Sequence, residues 1–224
     1  MCWKRFNMTK FYFVRHGQTE WNLERRFQGG HGDSNLLPSS YDDMAKVGQF
    51  LNEVDFARVF ASPLKRARIT AINIVKHLNY HGRLSLRSNI AEVGLGKWEG
   101  ELVSNVTINY AESFKNYRED LDKFEGKEFE GEGYTKAEKR FVRFVKNIAN
   151  QYPNDNILIV SHGMALSFGI NGLLEQPRMT IRQRGGLSNT STTVLSTSDG
   201  QHFTVDDWNN TTYLNKKQNA STTI

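Results

Sequence analysis

Two short apolar runs stand apart because each is unbroken and each stops at the same polar punctuation. Phe11-Tyr12-Phe13-Val14 leads into Arg15-His16-Gly17, and Ile157-Leu158-Ile159-Val160 leads into Ser161-His162-Gly163. Runs of this length without alternation fit parallel strands covered on both faces. In open sheets of that kind ligands bind beyond the carboxyl ends of the strands, so both histidines belong to the reactive edge if the two strands lie together. Between them, Met44, Val47, Phe50, Leu51 and Val54 recur at helical spacing. Arg58-Val59-Phe60-Ala61 then reads as a strand closed by Ser62-Pro63, and Leu64 to Leu78 as a helix with Ala67, Ala71, Ile74, Val75 and Leu78 on one side. Arg83 to Arg87 alternates like a half-buried strand. This order predicts an α/β fold, a three-layer α/β/α sandwich around a mostly parallel central sheet.

From Glu101 to Phe129 the chain is rich in charge and aromatics, with Phe114, Tyr117, Leu121 and Phe124 three or four residues apart. That spacing predicts a helical insertion, about 101–133, lying over the reactive edge and ended by Gly126, Gly131 and Gly133. A second amphipathic helix follows, with Ala137, Phe141, Phe144, Val145 and Ile148 on its apolar face, and another opens at Met164, right after His162. Thr192 to Leu195 and His202 to Val205 read as a closing hairpin around Asp199-Gly200. After Trp208 the chain is mostly Asn, Thr, Lys and Ser, so one domain over 1–208 and a polar, mobile tail over 209–224 are expected.

Charge and cysteine content narrow the setting. The balance of 29 basic against 24 acidic residues, +5 overall, suits an anionic partner without choosing one. Its longest basic clusters, Lys4-Arg5 and Lys216-Lys217, are too short for a nucleic-acid arm, so no nucleic acid is expected. Cys2, the single cysteine, allows no intrachain disulfide and no thiolate cluster, which fits a reducing compartment. Asn7, Thr9 and Lys10 interrupt any run of signal-peptide length and no stretch approaches a membrane span, so a cytoplasmic protein without membrane contact is expected. Oligomeric state leaves no mark in the sequence.

An arginine beside a histidine where a buried strand meets a glycine is a recognisable chemical pair. Arginine offers a planar fork of donors that matches phosphate oxygens, and a neutral imidazole is a nitrogen nucleophile. Alone, Arg15-His16-Gly17 also fits a capped strand end. The segment Arg15 to Asn22, however, resembles the first signature of the histidine phosphatase, or phosphoglycerate mutase-like, superfamily: Arg-His-Gly-x-Thr/Ser-x-Trp/Tyr-Asn. The resemblance continues, in the family's order, through Arg25 to Gly29, Ala61 to Ala67, Ile90 to Gly100 and Ile159 to Gly163, and it ends near Leu187 to Ser191.

That resemblance implies a catalytic set. His16 would be the nucleophile, and Arg15, Arg66 and His162 would neutralise the phosphoryl oxygens, the main demand of phosphoryl transfer. The family's acid position maps to Glu92, with Glu99 as runner-up and supporting residue, while Asn22, Gln28 and Gly29 match positions that help hold phosphate. The loop Gly30 to Leu36 is longer than the family's usual one, which bears on the contacts of Gln28 and Gly29. No cofactor and no metal are implied: there is no His-Glu-x-x-His pair, and His77 and His81 have no carboxylate partner nearby. A Walker loop and a serine nucleophile elbow are also missing.

Three readings of the set remain open at this level. A phosphatase acting on a small phosphorylated metabolite is favoured by Trp98-Glu99-Gly100 and by Gly131-Glu132-Gly133-Tyr134, which resembles the Gly-Glu-Ser element of the phosphatase branch. A cofactor-dependent phosphoglycerate mutase would share the phosphohistidine, and a non-catalytic phosphate-binding regulatory module would keep the pocket without turnover. Lys115, Tyr117, Arg118, Lys123 and Phe124 in the insertion could touch substrate, or could simply form an amphipathic helix.

Overall fold

The computed structural model describes residues 8–214. The elements are β1 (Thr9–Arg15), α1 (Glu20–Glu24), α2 (Pro38–Phe50), β2 (Phe56–Ala61), α3 (Lys65–Val75), β3 (Leu84–Leu86), α4 (Val103–Asn109), α5 (Ala111–Glu119), α6 (Tyr134–Gln151), β4 (Asn156–Ser161), α7 (Gly163–Leu173), β5 (Thr192–Thr197) and β6 (Thr204–Asn210). All strands join one six-stranded sheet in the order β3-β2-β4-β1-β5-β6. β2 pairs in parallel with β3 and β4, β1 pairs in parallel with β4, and the β5–β6 hairpin closes the sheet antiparallel to β1. The expected α/β sandwich around a mostly parallel sheet is what forms.

Alternation along the strands divides the core. Phe11, Phe13, Ile157 and Ile159 face α6 and α7, packing with Phe141, Phe144, Val145 and Leu166. Val14, Leu158 and Val160 face the other way, onto Met44 and Val47 of α2 and Ala67, Ala71 and Ile74 of α3. Parallel β1 and β4 therefore read as continuous apolar runs because both faces are buried. A third cluster lies beside the sheet, where Trp98 stacks on Phe129 with ring centroids 4.2 Å apart and packs with Phe27, Tyr117 and Phe124.

Several expectations need correction. The helical spacing of Phe114, Tyr117, Leu121 and Phe124 does not make one helix: α5 stops at Glu119, and Asp120 leaves the helical conformation at φ −142°, ψ 78°. Leu121 and Phe124 are still buried, but they reach the Trp98 cluster from a loop, so tertiary packing gives them a period that looks helical. α2 starts at Pro38, ahead of its apolar stripe, because proline suits the first helical turn. The packed chain also does not end at Trp208. β6 continues to Asn210, and the Tyr213 ring stacks on Phe50 at 4.6 Å while its hydroxyl donates to the Thr190 carbonyl at 2.7 Å. One aromatic and the buried Leu214 anchor a segment whose composition is polar. The rest of the expected tail, 215–224, and Cys2, Lys4 and Arg5 lie outside the described residues.

Candidate active site

The parallel register sets Arg15 opposite Ser161, and His16 N–H donates to the Ser161 carbonyl at 2.9 Å. Chain positions that are far apart in sequence thus deliver His16 and His162 side by side, with ring centroids 5.1 Å apart. Both lie at the carboxyl ends of central strands, where an open parallel sheet places its ligand site. His16 is 3% exposed and His162 is fully buried.

Hydrogen bonding gives His16 its tautomer. Its Nδ1 lies 2.7 Å from the Gly17 carbonyl, an oxygen that can only accept, so Nδ1 carries the proton and Nε2 keeps its lone pair. The Gly17 amide is held by Thr70 Oγ1 at 3.0 Å. Burial, then the charges of Arg66 and Arg15, hold the His16 pKa well below the usual histidine range, so the ring is neutral at physiological pH. His162 is depressed in the same direction by burial and then by Arg66. Its Nε2 bonds with Ser62 Oγ at 2.7 Å, while its Nδ1 is buried with no hydrogen-bond partner among the described residues.

Arg66 projects from the first turn of α3 and is 1% exposed. Its Nη1 donates to the Gly32 carbonyl at 2.9 Å, its Nη2 to the Gly29 carbonyl at 3.0 Å, and Asp33 Oδ1 lies 3.3 Å from Nη1. One guanidinium therefore folds the 29–33 loop around itself. Its Nε is buried without a hydrogen-bond partner among the described residues. Arg15 donates to the Leu187 carbonyl at 2.6 Å, and burial lowers its pKa to about 10, which leaves it charged.

Glu92 is 7% exposed and sits on the loop after β3. Its carboxylate accepts from the amides of Val93 at 2.9 Å, Ala165 at 2.8 Å and Met164 at 3.3 Å, the last two at the amino end of α7. Desolvation nevertheless outweighs those three bonds and the charge of Arg66, and raises its pKa. A carboxyl that holds a proton more tightly than usual is thus fixed at the start of the helix that follows His162. Glu99 is placed differently. Oε1 accepts from Leu95 N–H at 2.9 Å, while Oε2 accepts from His31 N–H at 2.9 Å and from the Gly32 amide. It ties two loops together.

Asn22 stands in the first turn of α1, and Gln28 and Gly29 on the loop that follows it. Asn22 Oδ1 accepts from the Thr19 amide at 3.2 Å and from Asn189 Nδ2 at 3.3 Å, which leaves its amide nitrogen as the donating end. Gln28 accepts from Thr19 Oγ1 at 2.8 Å and donates to Ser34 Oγ at 3.1 Å. At Gly29 an added Cβ would run into the Glu99 carboxylate and stand 2.8 Å from Leu95 N, so only glycine fits. Residues not assigned from sequence complete the frame: Ser62 against His162, Thr70 against Gly17, and Asn189, whose Nδ2 donates to the His16 carbonyl at 2.9 Å. Ser62 was marked in the sequence by its place at the end of β2 and within the Ala61 to Ala67 segment, though neither assigned it a contact with His162.

A cavity of about 290 Å³ opens onto Arg15, Gln28 and Glu92, with apolar walls from Phe27, Phe168 and Ile181 and the guanidiniums of Arg118 and Arg182. From the insertion, Tyr117 and Arg118 reach it. Lys123 pairs with Asp120 at 2.8 Å, Phe124 is spent in the Trp98 cluster, and Lys115 is exposed away from the lining. Among the described residues no group of three or more His, Cys, Asp or Glu could hold a metal ion, and no helix is long and apolar enough to cross a membrane.

Two buried arginines and two neutral histidines gather at the strand ends, and Arg15 and the proton-holding Glu92 also line the cavity, a set suited to an oxyanion of the phosphate monoester kind. Comparison with known proteins agrees: the model of the histidine phosphatase superfamily, branch 1, matches residues 11–211, and the chain belongs to that family. It is 30% identical to phosphoglycerate mutase-like protein 4 of Arabidopsis thaliana, over 90% of this chain and 85% of that one. It is also 30% identical to phosphoserine phosphatase 1 of Hydrogenobacter thermophilus, over 69% and 71% of the two chains. Among solved structures, a phosphoserine phosphatase variant from Entamoeba histolytica bound to phosphoserine superposes with a TM-score of 0.78 at 29% identity, covering 92% and 99% of the chains. YhfR of Bacillus stearothermophilus gives 0.84 at 25% identity, with the same coverage.

Proposed function

We propose that the chain is a phosphomonoesterase for small phosphorylated metabolites, working in two displacements through a phosphohistidine at His16. The observation that carries this reading is the tautomer. With Nδ1 bound to the Gly17 carbonyl, Nε2 is a free nucleophile held neutral between two arginines. Arg15, Arg66 and His162 receive the phosphoryl oxygens, where donors fixed in advance are most effective on charge that builds in the transition state. Asn22, Gln28 and the Gly29 backbone complete the anion cradle.

In the first step Nε2 attacks phosphorus, the ester P–O bond breaks with its electron pair on the leaving oxygen, and Glu92 gives that oxygen its proton. In the second, water loses a proton to Glu92 and attacks phosphorus, and the N–P bond breaks to restore neutral His16. A raised carboxyl pKa suits a group that must alternate between acid and base. Water as final acceptor, rather than a second substrate position as in a mutase, is supported by the phosphatases among the relatives and by the Gly131-Glu132-Gly133 element. Neither metal nor cofactor enters a step. Solution in the cytoplasm remains part of this reading.

The test is rapid quenching of the enzyme with a labelled phosphomonoester in the presence of EDTA. An acid-labile, base-stable phosphoenzyme is expected, absent in His16→Ala. Wild-type turnover by that variant would remove His16 as nucleophile, and a strict need for added divalent ion would overturn the metal-free scheme.

A further inference from the structure

Glu92 stands on a stretch with almost no regular structure: from Ala91 to Leu95 the chain forms neither helix nor strand. Backbone of that kind holds a reacting group only as firmly as its tethers allow. The carboxyl itself is bound by amides, yet three of its contacts are with its own neighbour and the start of α7, which leaves the peptide that carries it to be fixed separately.

That peptide is gripped by one side chain from α6. Arg140 Nη1 donates to the Asn89 carbonyl at 2.8 Å and Nη2 to the Glu92 carbonyl at 3.2 Å, so a single guanidinium brackets the segment leading to the acid. The guanidinium is fixed in turn by Glu132, which accepts from Nε and Nη2, both at 2.8 Å, in a fork-to-fork pair. Glu132 then closes the bracket downstream. Its Oε2 accepts from the Gly94 amide at 3.4 Å, and its own N–H donates to the Gly94 carbonyl. The two side chains are only 19% and 12% exposed, which takes the pair out of the range of weak surface ion pairs. Arg140 is also close enough for its charge to depress His162.

From this arrangement we infer that Arg140 and Glu132 are positioning residues for the general acid, a two-sided clamp that sets where Glu92 can deliver its proton. The inference rests on Glu92 being that acid. It gives a physical task to Glu132, whose place in a Gly-Glu-Gly turn the phosphohistidine chemistry leaves unused. Neither residue touches the cavity, so both act through backbone.

Two substrates and a double-variant cycle test it. A displaced acid matters for a basic alkoxide and hardly for p-nitrophenolate, which departs without much help. Arg140→Ala should therefore lower kcat/KM on an alkyl phosphate, which reports the first displacement alone, by about tenfold to a hundredfold, the range for a misplaced reacting group. Its kcat/KM on p-nitrophenyl phosphate should stay within about threefold, while kcat, which includes the Glu92-assisted attack of water, falls by a similar factor on any substrate limited by that second step. Glu132→Gln, which keeps the fold's contacts but loses the charge, should show the same selectivity at smaller amplitude. Arg140→Lys should restore only part of the loss, since an ammonium cannot span both carbonyls and the Glu132 fork. In a Glu92→Gln background, Arg140→Ala should add almost nothing on the alkyl substrate.

Equal losses of kcat/KM on both substrates, or full additivity with Glu92→Gln, would overturn the clamp and leave an ordinary structural ion pair. If Glu92→Gln alone shows no leaving-group selectivity, the assignment of the acid fails first, and the two failures are told apart.

Discussion

Replacing Arg66 separates charge from geometry at the centre of the site. Arg66→Ala removes both, whereas Arg66→Lys keeps the charge and loses the fork that spans the Gly29 and Gly32 carbonyls. Loss of one donor to a transition-state oxygen lowers kcat/KM by about 10²–10³, or roughly 2.7–4 kcal/mol. Fold stability should move less than activity. Each broken bond to those carbonyls is worth on the order of 1.5–3 kcal/mol, but burial depresses the Arg66 pKa and the charge of Arg66 depresses that of Arg15, and both penalties disappear with the side chain. A net destabilisation of about 1–3 kcal/mol is expected for Arg66→Ala, below the sum of the broken bonds. The pH profile carries the sharper sign. Arg66 is the largest charge lowering the His16 pKa, so its removal raises that pKa, and a nucleophile that must be neutral then loses activity at a higher pH. The acidic limb of kcat/KM should move up in pH for Arg66→Ala and stay in place for Arg66→Lys, which should still be slowed at least about tenfold. With one p-nitrophenyl phosphate assay for all three proteins, ionisation of the substrate cancels in the comparison. A limb that shifts down or stays fixed in Arg66→Ala, or kcat/KM within threefold of wild type in both variants, would refute the reasoning.

Glu99→Gln puts an amide nitrogen against one of the N–H groups of Leu95, His31 or Gly32, so it should slow alkyl and aryl phosphates alike and lower stability by about 1–3 kcal/mol; a loss confined to the alkyl substrate would make Glu99 the acid instead of Glu92. Stability should also fall as pH drops from 7 toward 5, read as the thermal midpoint. His16 and His162 have folded pKa values below that of the unfolded chain, about 6.5, so under that pH the unfolded state takes up more protons. Glu92 and His202, both raised in the fold, act in the opposite direction, but Glu92 does so only at the lower end of the window and the His202–Asp199 pair is exposed and screened by solvent. A midpoint that is flat or rising toward pH 5 would contradict the neutral buried histidines.

The sequence announced the sheet centre because packing against helices on both faces leaves unbroken runs, Phe11 to Val14 in β1 and Ile157 to Val160 in β4, just before Arg15 and Ser161. It announced the site for a related reason: the residues that meet there are tied to strand ends and helix starts, which short motifs mark. What it hid are contacts made across long separations by residues in ordinary surroundings. Arg140 sits on an amphipathic helix among other basic residues, and nothing in its spacing tells that it reaches back to Asn89 and Glu92. Leu121 and Phe124 misled for the converse reason, since an aromatic cluster selects the same residues as a helix face. Tyr213 and Leu214 were lost in a polar composition because one half-buried aromatic and one buried leucine suffice to hold the segment after β6.

The walls of the cavity and the histidine–arginine set at the strand ends belong to different parts of the chain. His16, Arg66, His162 and Arg15 are rooted in the central strands and the helices that follow them, while Tyr117, Arg118, Ile181 and Arg182 come from α5 and from the segment between α7 and β5, outside the sheet. Rewriting the second group leaves the backbone that sets up the first untouched, so new preferences can be grafted or can diverge without the chemistry being invented again. A swap of either wall segment between relatives is, on this architecture, a change of vocabulary within an unaltered grammar.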